Sequence, residues 1–353
     1  MRSESTTSPL ETCDSESRRA EGYRSHLSTL MGLQILATGS YVPPDEVTNA
    51  DLAAQGYDPE WIVQRTGIQA RRRLDGALAT SDMAYFAAEN CLAAADVGSE
   101  EVELVVVATM TPDYPTPSTA CLLQERLGVR AAAMDVNAAC AGFMYALITA
   151  AQFVKTGCAR TALVVGADTN TRIINPSDPK TYPLFGDAAG AVLLGRGSKE
   201  QGFLALTLGA EGEGAELLRI PAGGSRCPVS ADDLAEGRNY MMMDGRSVFK
   251  WAVRLLADTI RDTLSHSGLT LDDIHLVILH QANVRIIEAA AADLGIERER
   301  LFVNLDRYGN TSAGSVPLGL DEAVRAGRVR RGDRVLLCGF GAGLAWGCAV
   351  LQY

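Results

Sequence analysis

The chain has 353 residues, enough for one large core or two fused domains. Its formal net charge of −11 is the opposite of the basic footprint that a nucleic-acid groove needs, so no nucleic-acid partner is expected. Eight cysteines without a CxxC pair, together with four histidines, argue against a zinc site of the usual spacing, and no metal is expected.

Residues 1–30 are rich in Ser, Thr, Glu and Arg and read as a disordered leader. They lack the apolar stretch of a signal peptide. Met31 directly precedes the first predicted strand, LQILATGSYVP, which makes Met31 a candidate start of the protein. From there apolar strand runs alternate with amphipathic helices, the pattern of an α/β layered fold. The run at 138–151 carries no charge, but it is shorter than the ~20 residues that cross a bilayer, so it reads as a buried helix and no membrane partner is expected. Several cysteines lie in apolar runs such as the one at 335–338, which suits a reducing, cytoplasmic setting.

The chain resembles itself. ELVVVATMT (103–111) matches HLVILHQAN (275–283) at an offset of 172, and TALVVGAD (161–168) matches RVLLCGFG (334–341) at 173. Between them Cys140-Ala141-Gly142 matches Ser312-Ala313-Gly314, again at 172. Nearly equal offsets point to a duplicated α/β unit. The halves are expected at 31–205 and 206–353, packed into one compact domain. Pairing the halves around a pseudo-twofold brings equivalent loops together, so Cys140, His280 and Asn310 are expected to meet at the junction.

Those three residue types suit acyl transfer through a cysteine thioester. Cys140 lies in DVNAACAGFMYAL (135–147), at the start of the buried helix, where the positive dipole end favours a thiolate. His280 can hydrogen-bond the thiol or an oxyanion, and Asn310 offers a donor that does not titrate. Taken singly, each has an ordinary structural explanation: a core thiol, a buried histidine, a turn asparagine. CGFGAGLAWG (338–347) looks like a dinucleotide loop, but only six residues follow Gly347, too few for the helix and strand such a loop needs. Its glycines are better suited to letting backbone pass close to the cysteine.

Seven stretches together resemble the β-ketoacyl-acyl-carrier-protein synthase III family of the thiolase fold: ATGSYVP (37–43), WIVQRTGI (61–68), DVNAACAGFMYAL, FGDAAGAVL (185–193), LHQANVRI (279–286), GNTSAGSVP (309–317) and FGAGLAWG (340–347). The resemblance spans residues 33–353. It implies a five-layered αβαβα fold, a homodimer, and no permanent cofactor, with acyl-CoA or a phosphopantetheinyl acyl-carrier protein as substrate. By motif position Cys140 resembles the nucleophile, with His280 and Asn310 as donors to the extender thioester. Backbone N–H groups of Cys140, Ala342 and Gly343 resemble the oxyanion hole. Trp61, Arg65 and Asn283 resemble coenzyme A or pantetheine contacts, and Arg246, Lys250 and Arg285 resemble carrier-protein docking positions. Thr116 and Phe143 fall where the acyl pocket is expected.

Departures from the family pattern qualify the substrate. Pro179-Lys180 stands where housekeeping members usually carry an adenine-clamping arginine, and lysine does not reproduce a stacked guanidinium. Ala292 and Asp293 replace lysines often found on the docking face, and Thr116 replaces a bulky aromatic. On these grounds the sequence favours a specialised acyltransferase of natural-product pathways, passing an acyl or aroyl group from Cys140 to a second carrier, a hydroxyl or an amine. The alternatives are decarboxylative condensation of acyl-CoA with malonyl-carrier protein in fatty-acid initiation, and a non-catalytic scaffold subunit.

Overall fold

The structure is a computed structural model and describes residues 25–353. Most of the expected leader therefore lies outside the described residues. Its last part does not behave as a leader: Leu27–Met31 forms a strand antiparallel to Gly202–Ala210. Ser25 also accepts a hydrogen bond from Trp346 Nε1 at 3.1 Å.

Two mixed sheets carry the fold. The first runs, in spatial order, Leu33–Tyr41, Ala188–Arg196, Thr161–Asp168, Leu104–Ala108 and Ala132–Val136. The second runs Leu27–Met31, Gly202–Ala210, Ala345–Gln352, Arg334–Gly341, Leu276–Leu279 and Leu301–Phe302. Apart from the added edge strand Leu27–Met31, the orders match strand for strand, with two antiparallel pairings followed by two parallel ones in each. The crossover between sheets falls at residues 197–201, so the boundary expected at 205 cuts through strand Gly202–Ala210.

Five layers follow from where the apolar faces go. Helices Gly142–Thr156 and Ser315–Arg325 lie between the sheets and are buried on nearly every side, as a helix in a central layer must be. Helices Thr80–Ala95 and Thr119–Leu127 cover the outer face of the first sheet. Gly245–Ser267 and Val284–Leu294 cover that of the second. Phe143, Met144 and Leu147 are each no more than 1% exposed in the shared core. Full burial of each such side chain contributes ~1.5–3 kcal/mol.

The duplication reaches the backbone of the two turns that open the central helices. Ala139 has φ 45° and Ser312 has φ 51°, and each starts a short 3₁₀ turn that leads into its helix. The turns therefore repeat at 173 (Ala139 to Ser312), as do the following strands (Thr161 to Arg334). Cys140 is thus the counterpart of Ala313, one residue away from the match with Ser312 expected from sequence.

Candidate active site

Cys140 sits at the centre of the Ala139–Ala141 turn and is 6% exposed. The left-handed conformation of Ala139 costs ~1–2 kcal/mol for a residue with a Cβ. Asn137 offsets part of this, its Oδ1 accepting from Ala139 N at 3.2 Å. Strand Arg334–Gly341 closes over the turn. A Cβ on Gly341 would lie 2.8 Å from Cys140 Cβ and 2.9 Å from its backbone nitrogen, so only glycine fits.

The same strand holds His280. Cys338 O accepts from His280 N at 2.8 Å, and the Phe340 ring meets the imidazole edge-on at 5.1 Å between centroids. His280 Nδ1 lies 2.7 Å from Ser315 Oγ, at the start of the second central helix. Asn310 is fixed by its backbone, with N donating to Leu184 O at 2.8 Å and O accepting from Gly186 N at 3.0 Å. Its Oδ1 accepts from Ser312 N at 2.9 Å, which leaves the amide NH₂ as the unused end. The 3₁₀ turns of Cys140 and Ser312 pack against each other. The three residues expected to meet thus share one buried neighbourhood.

Burial dominates the local electrostatics. It pushes the Cys140 thiol up to about 12, helped by the nearby Asp168 carboxylate. The buried Ser312 hydroxyl, beside both groups but without full hydrogen-bond geometry to either, works in the opposite direction. Burial also brings His280 down to about 3. The resting pair is a thiol and a neutral imidazole, and the thiolate expected from the helix start is not the resting form. Asp168 is fully buried and its acidity is weakened by desolvation, against four donors: Met110 N, Thr109 Oγ1, Thr111 Oγ1 and Ala313 N, at 2.8–3.1 Å. It ties the first sheet to the turn that follows Asn310. Asp168, Ser312, Ser315 and Phe340 were not singled out from sequence. Only the polar end of TALVVGAD hinted at the first.

The remaining expected residues divide. Ala342 joins an apolar cluster with Met110, Phe185, Leu218 and Met241 next to Gly341, whereas Gly343 is exposed at the hairpin tip. Phe143 does not line a pocket: its helical phase turns it into the core between the sheets. Thr116 is exposed on the 111–118 segment. Trp61, 42% exposed, and Arg65 lie one turn apart on the outer face of helix Pro59–Thr66. Asn283 is already engaged, capping the Val284–Leu294 helix and donating from Nδ2 to Arg65 O at 3.1 Å. Arg246 and Lys250 are exposed on helix Gly245–Ser267, and Arg285 reaches that helix with its guanidinium 6.0 Å from the Phe249 ring. Among the described residues no group of three His, Cys, Asp or Glu is placed to hold a metal, and no helix is long and apolar enough to cross a membrane.

Comparison with known proteins agrees with this fold. Residues 134–212 match the family described as 3-oxoacyl-[acyl-carrier-protein (ACP)] synthase III, and residues 264–353 match its C-terminal part. A beta-ketoacyl-[acyl-carrier-protein] synthase III of Rhodopirellula baltica is 54% identical over 345 residues, 93% of this chain and 100% of the relative. A solved synthase III from Thermus thermophilus is 45% identical with a TM-score of 0.85, covering 90% of this chain and 98% of its own. The priming β-ketosynthase of the R1128 polyketide pathway is 35% identical with a TM-score of 0.83, covering 94% of this chain and 98% of its own.

Proposed function

Because the chain belongs to the 3-oxoacyl-[acyl-carrier-protein] synthase III family of acyl-transferring, thiolase-fold enzymes, we propose that it catalyses decarboxylative condensation of an acyl thioester with malonyl-carrier protein. What supports this reading is that the buried turns of Cys140 and Ser312 pack together, with His280 against Ser315 and the Asn310 amide left free to donate. In the first step Cys140 Sγ attacks the acyl carbonyl. A carbon–sulfur bond forms, the bond to the departing thiol breaks, and the cysteine proton leaves with that thiol. Backbone N–H groups of Cys140 and Ala342 hold the oxyanion. In the second step the malonyl carboxylate leaves as carbon dioxide. Its electron pair is held as an enolate by N–H donors from His280 and Asn310, each contributing ~3–4 kcal/mol to the transition state. The carbanion then attacks the acyl-cysteine, a carbon–carbon bond forms, and the Cys140 thiolate is expelled and takes a proton from solvent.

The chain's own residues account for substrate delivery in this reading. Trp61 and Arg65 receive the nucleotide end of coenzyme A by stacking and phosphate pairing. Arg246, Lys250 and Arg285 receive an acidic carrier protein. The half-exposed strand Ala132–Val136 ends the first sheet and offers its open edge to a second copy, as a homodimer requires. No permanently bound cofactor takes part.

The sequence alone favoured transfer without condensation. The 54% and 45% relatives are both described as synthase III, which supports condensation instead. Transfer without condensation keeps the support of the sequence departures at Pro179-Lys180, Ala292-Asp293 and Thr116. An assay with acetyl-CoA and malonyl-carrier protein separates the two. Condensation yields carbon dioxide and a β-ketoacyl carrier in equal amounts. Acylated Cys140 that turns over onto other acceptors, with no carbon dioxide released, would establish the second reading.

A further inference from the structure

A neutral imidazole carries one proton, and the group facing one ring nitrogen decides which nitrogen bears it. For His280 that group is the Ser315 hydroxyl, 2.7 Å from Nδ1, with both residues 1% exposed. The ring has little freedom to turn. Its backbone N is bonded to Cys338 O, and Phe340 packs edge-on against its face. Burial keeps it uncharged.

Two arrangements fit that contact. If Nδ1–H donated to Oγ, the hydroxyl hydrogen would need another acceptor, and among the described residues His280 is the one hydrogen-bond partner of Ser315 Oγ. If the hydroxyl donates to Nδ1, both groups are satisfied with one bond. An unsatisfied buried hydroxyl costs ~1–3 kcal/mol, enough to select the second arrangement.

We propose that Ser315 is a positioning residue that donates to His280 Nδ1 and thereby holds the proton on Nε2. Nε2–H is then a ready donor, and Asn310, five residues before Ser315, has its own orientation set through Ser312 N. One segment, residues 310–315, thus provides one enolate donor and fixes the tautomer of the other. This deepens the condensation reading and rests on it for its catalytic consequence, though not for the tautomer itself.

The test has two parts, both on the full chain. The first labels histidine with nitrogen-15, practical with four histidines, and reads the His280 ring nitrogens. Wild-type protein should show a bare, hydrogen-bonded Nδ1 and a protonated Nε2; a protonated Nδ1 would overturn the proposal whether or not the enzyme condenses. The second compares S315A and S315T. S315A should lose about tenfold or more in malonyl-carrier decarboxylation while acylation of Cys140, whose oxyanion is held by backbone, falls far less. S315T keeps the hydroxyl and should recover most of the loss. Equal losses in both half-reactions, or decarboxylation unchanged in S315A, would contradict the assignment. If S315A does not fold, the wild-type spectrum and S315T still decide it. If wild-type enzyme does not decarboxylate malonyl-carrier at all, the condensation reading fails and the spectrum alone judges Ser315.

Discussion

Gly341 leaves no room for a side chain against Cys140 across the junction of the two halves: a methyl on Gly341 would lie 2.8 Å from Cys140 Cβ and 2.9 Å from its backbone nitrogen. The strand that pins His280 through Cys338 also presses on the nucleophile turn. Gly341→Ala should therefore shift the Cys140 turn and cost ~1–3 kcal/mol of stability by overpacking. Acylation of Cys140 by acyl-CoA should fall by about 100-fold, since ångström-scale misplacement is felt that strongly in catalysis. Thermal melting and an acylation time course check both parts.

Protonation behaviour follows from burial. The Cys140 thiol, held up to about 12, should alkylate with iodoacetamide ever faster as pH rises past the ordinary thiol range, with no plateau near 9. The folded value lies above the unfolded one, so the thiol's contribution to stability is intact at neutral pH and is lost as pH climbs through that window. His280 has the opposite sign. Its value of about 3 lies below the ordinary one, so the contribution of its neutral form is present at neutral pH and is lost as pH falls from the ordinary histidine range towards 3. Decarboxylation should accordingly show no histidine limb between about pH 5 and 8.

Asn310→Ala removes a donor that does not titrate. Malonyl decarboxylation should drop by about 10²–10³-fold, while Cys140 acylation stays within a few-fold of wild type. Separate assays of the two half-reactions test this, and equal losses in both would count against the donor role.

Lys250→Glu and Arg285→Glu change the charge of the face formed by the Gly245–Ser267 helix and the Arg285 side chain. Turnover with carrier-protein substrate should weaken by about tenfold and lose its salt dependence, mainly through KM. Acylation from acyl-CoA should be unaffected, because it needs no carrier.

The duplicated architecture was legible because buried strands of both halves are apolar runs at nearly constant spacing, and the nearness of the loops that carry Cys140, His280 and Asn310 was legible because the repeat brings distant loops together. The one-residue error at the turn arose because CAG resembles SAG in composition, while the backbone aligns on the left-handed residues Ala139 and Ser312. Strand Leu27–Met31 was hidden because it is an edge strand with only Leu30 buried, so it shows almost no apolar pattern. Phe143 sits in the core between the sheets because of its helical phase, which a motif does not encode. Ser315 reads locally as an ordinary residue at a helix start. Its partner is 35 residues away, and only packing of the two halves joins them. The neutral state of Cys140 is likewise a consequence of tertiary burial, which overrides the local helix-start effect.

The most direct measurement loads Cys140 with isotopically labelled acetyl from acetyl-CoA, removes excess donor, adds malonyl-carrier protein, and weighs enzyme and carrier by intact mass. Condensation predicts that the label leaves Cys140 and appears on the carrier as a labelled β-ketoacyl group, with one carbon dioxide released per turnover and no loading in Cys140→Ala. Label that stays on the enzyme, or moves to an acceptor with no carbon dioxide released, would contradict it.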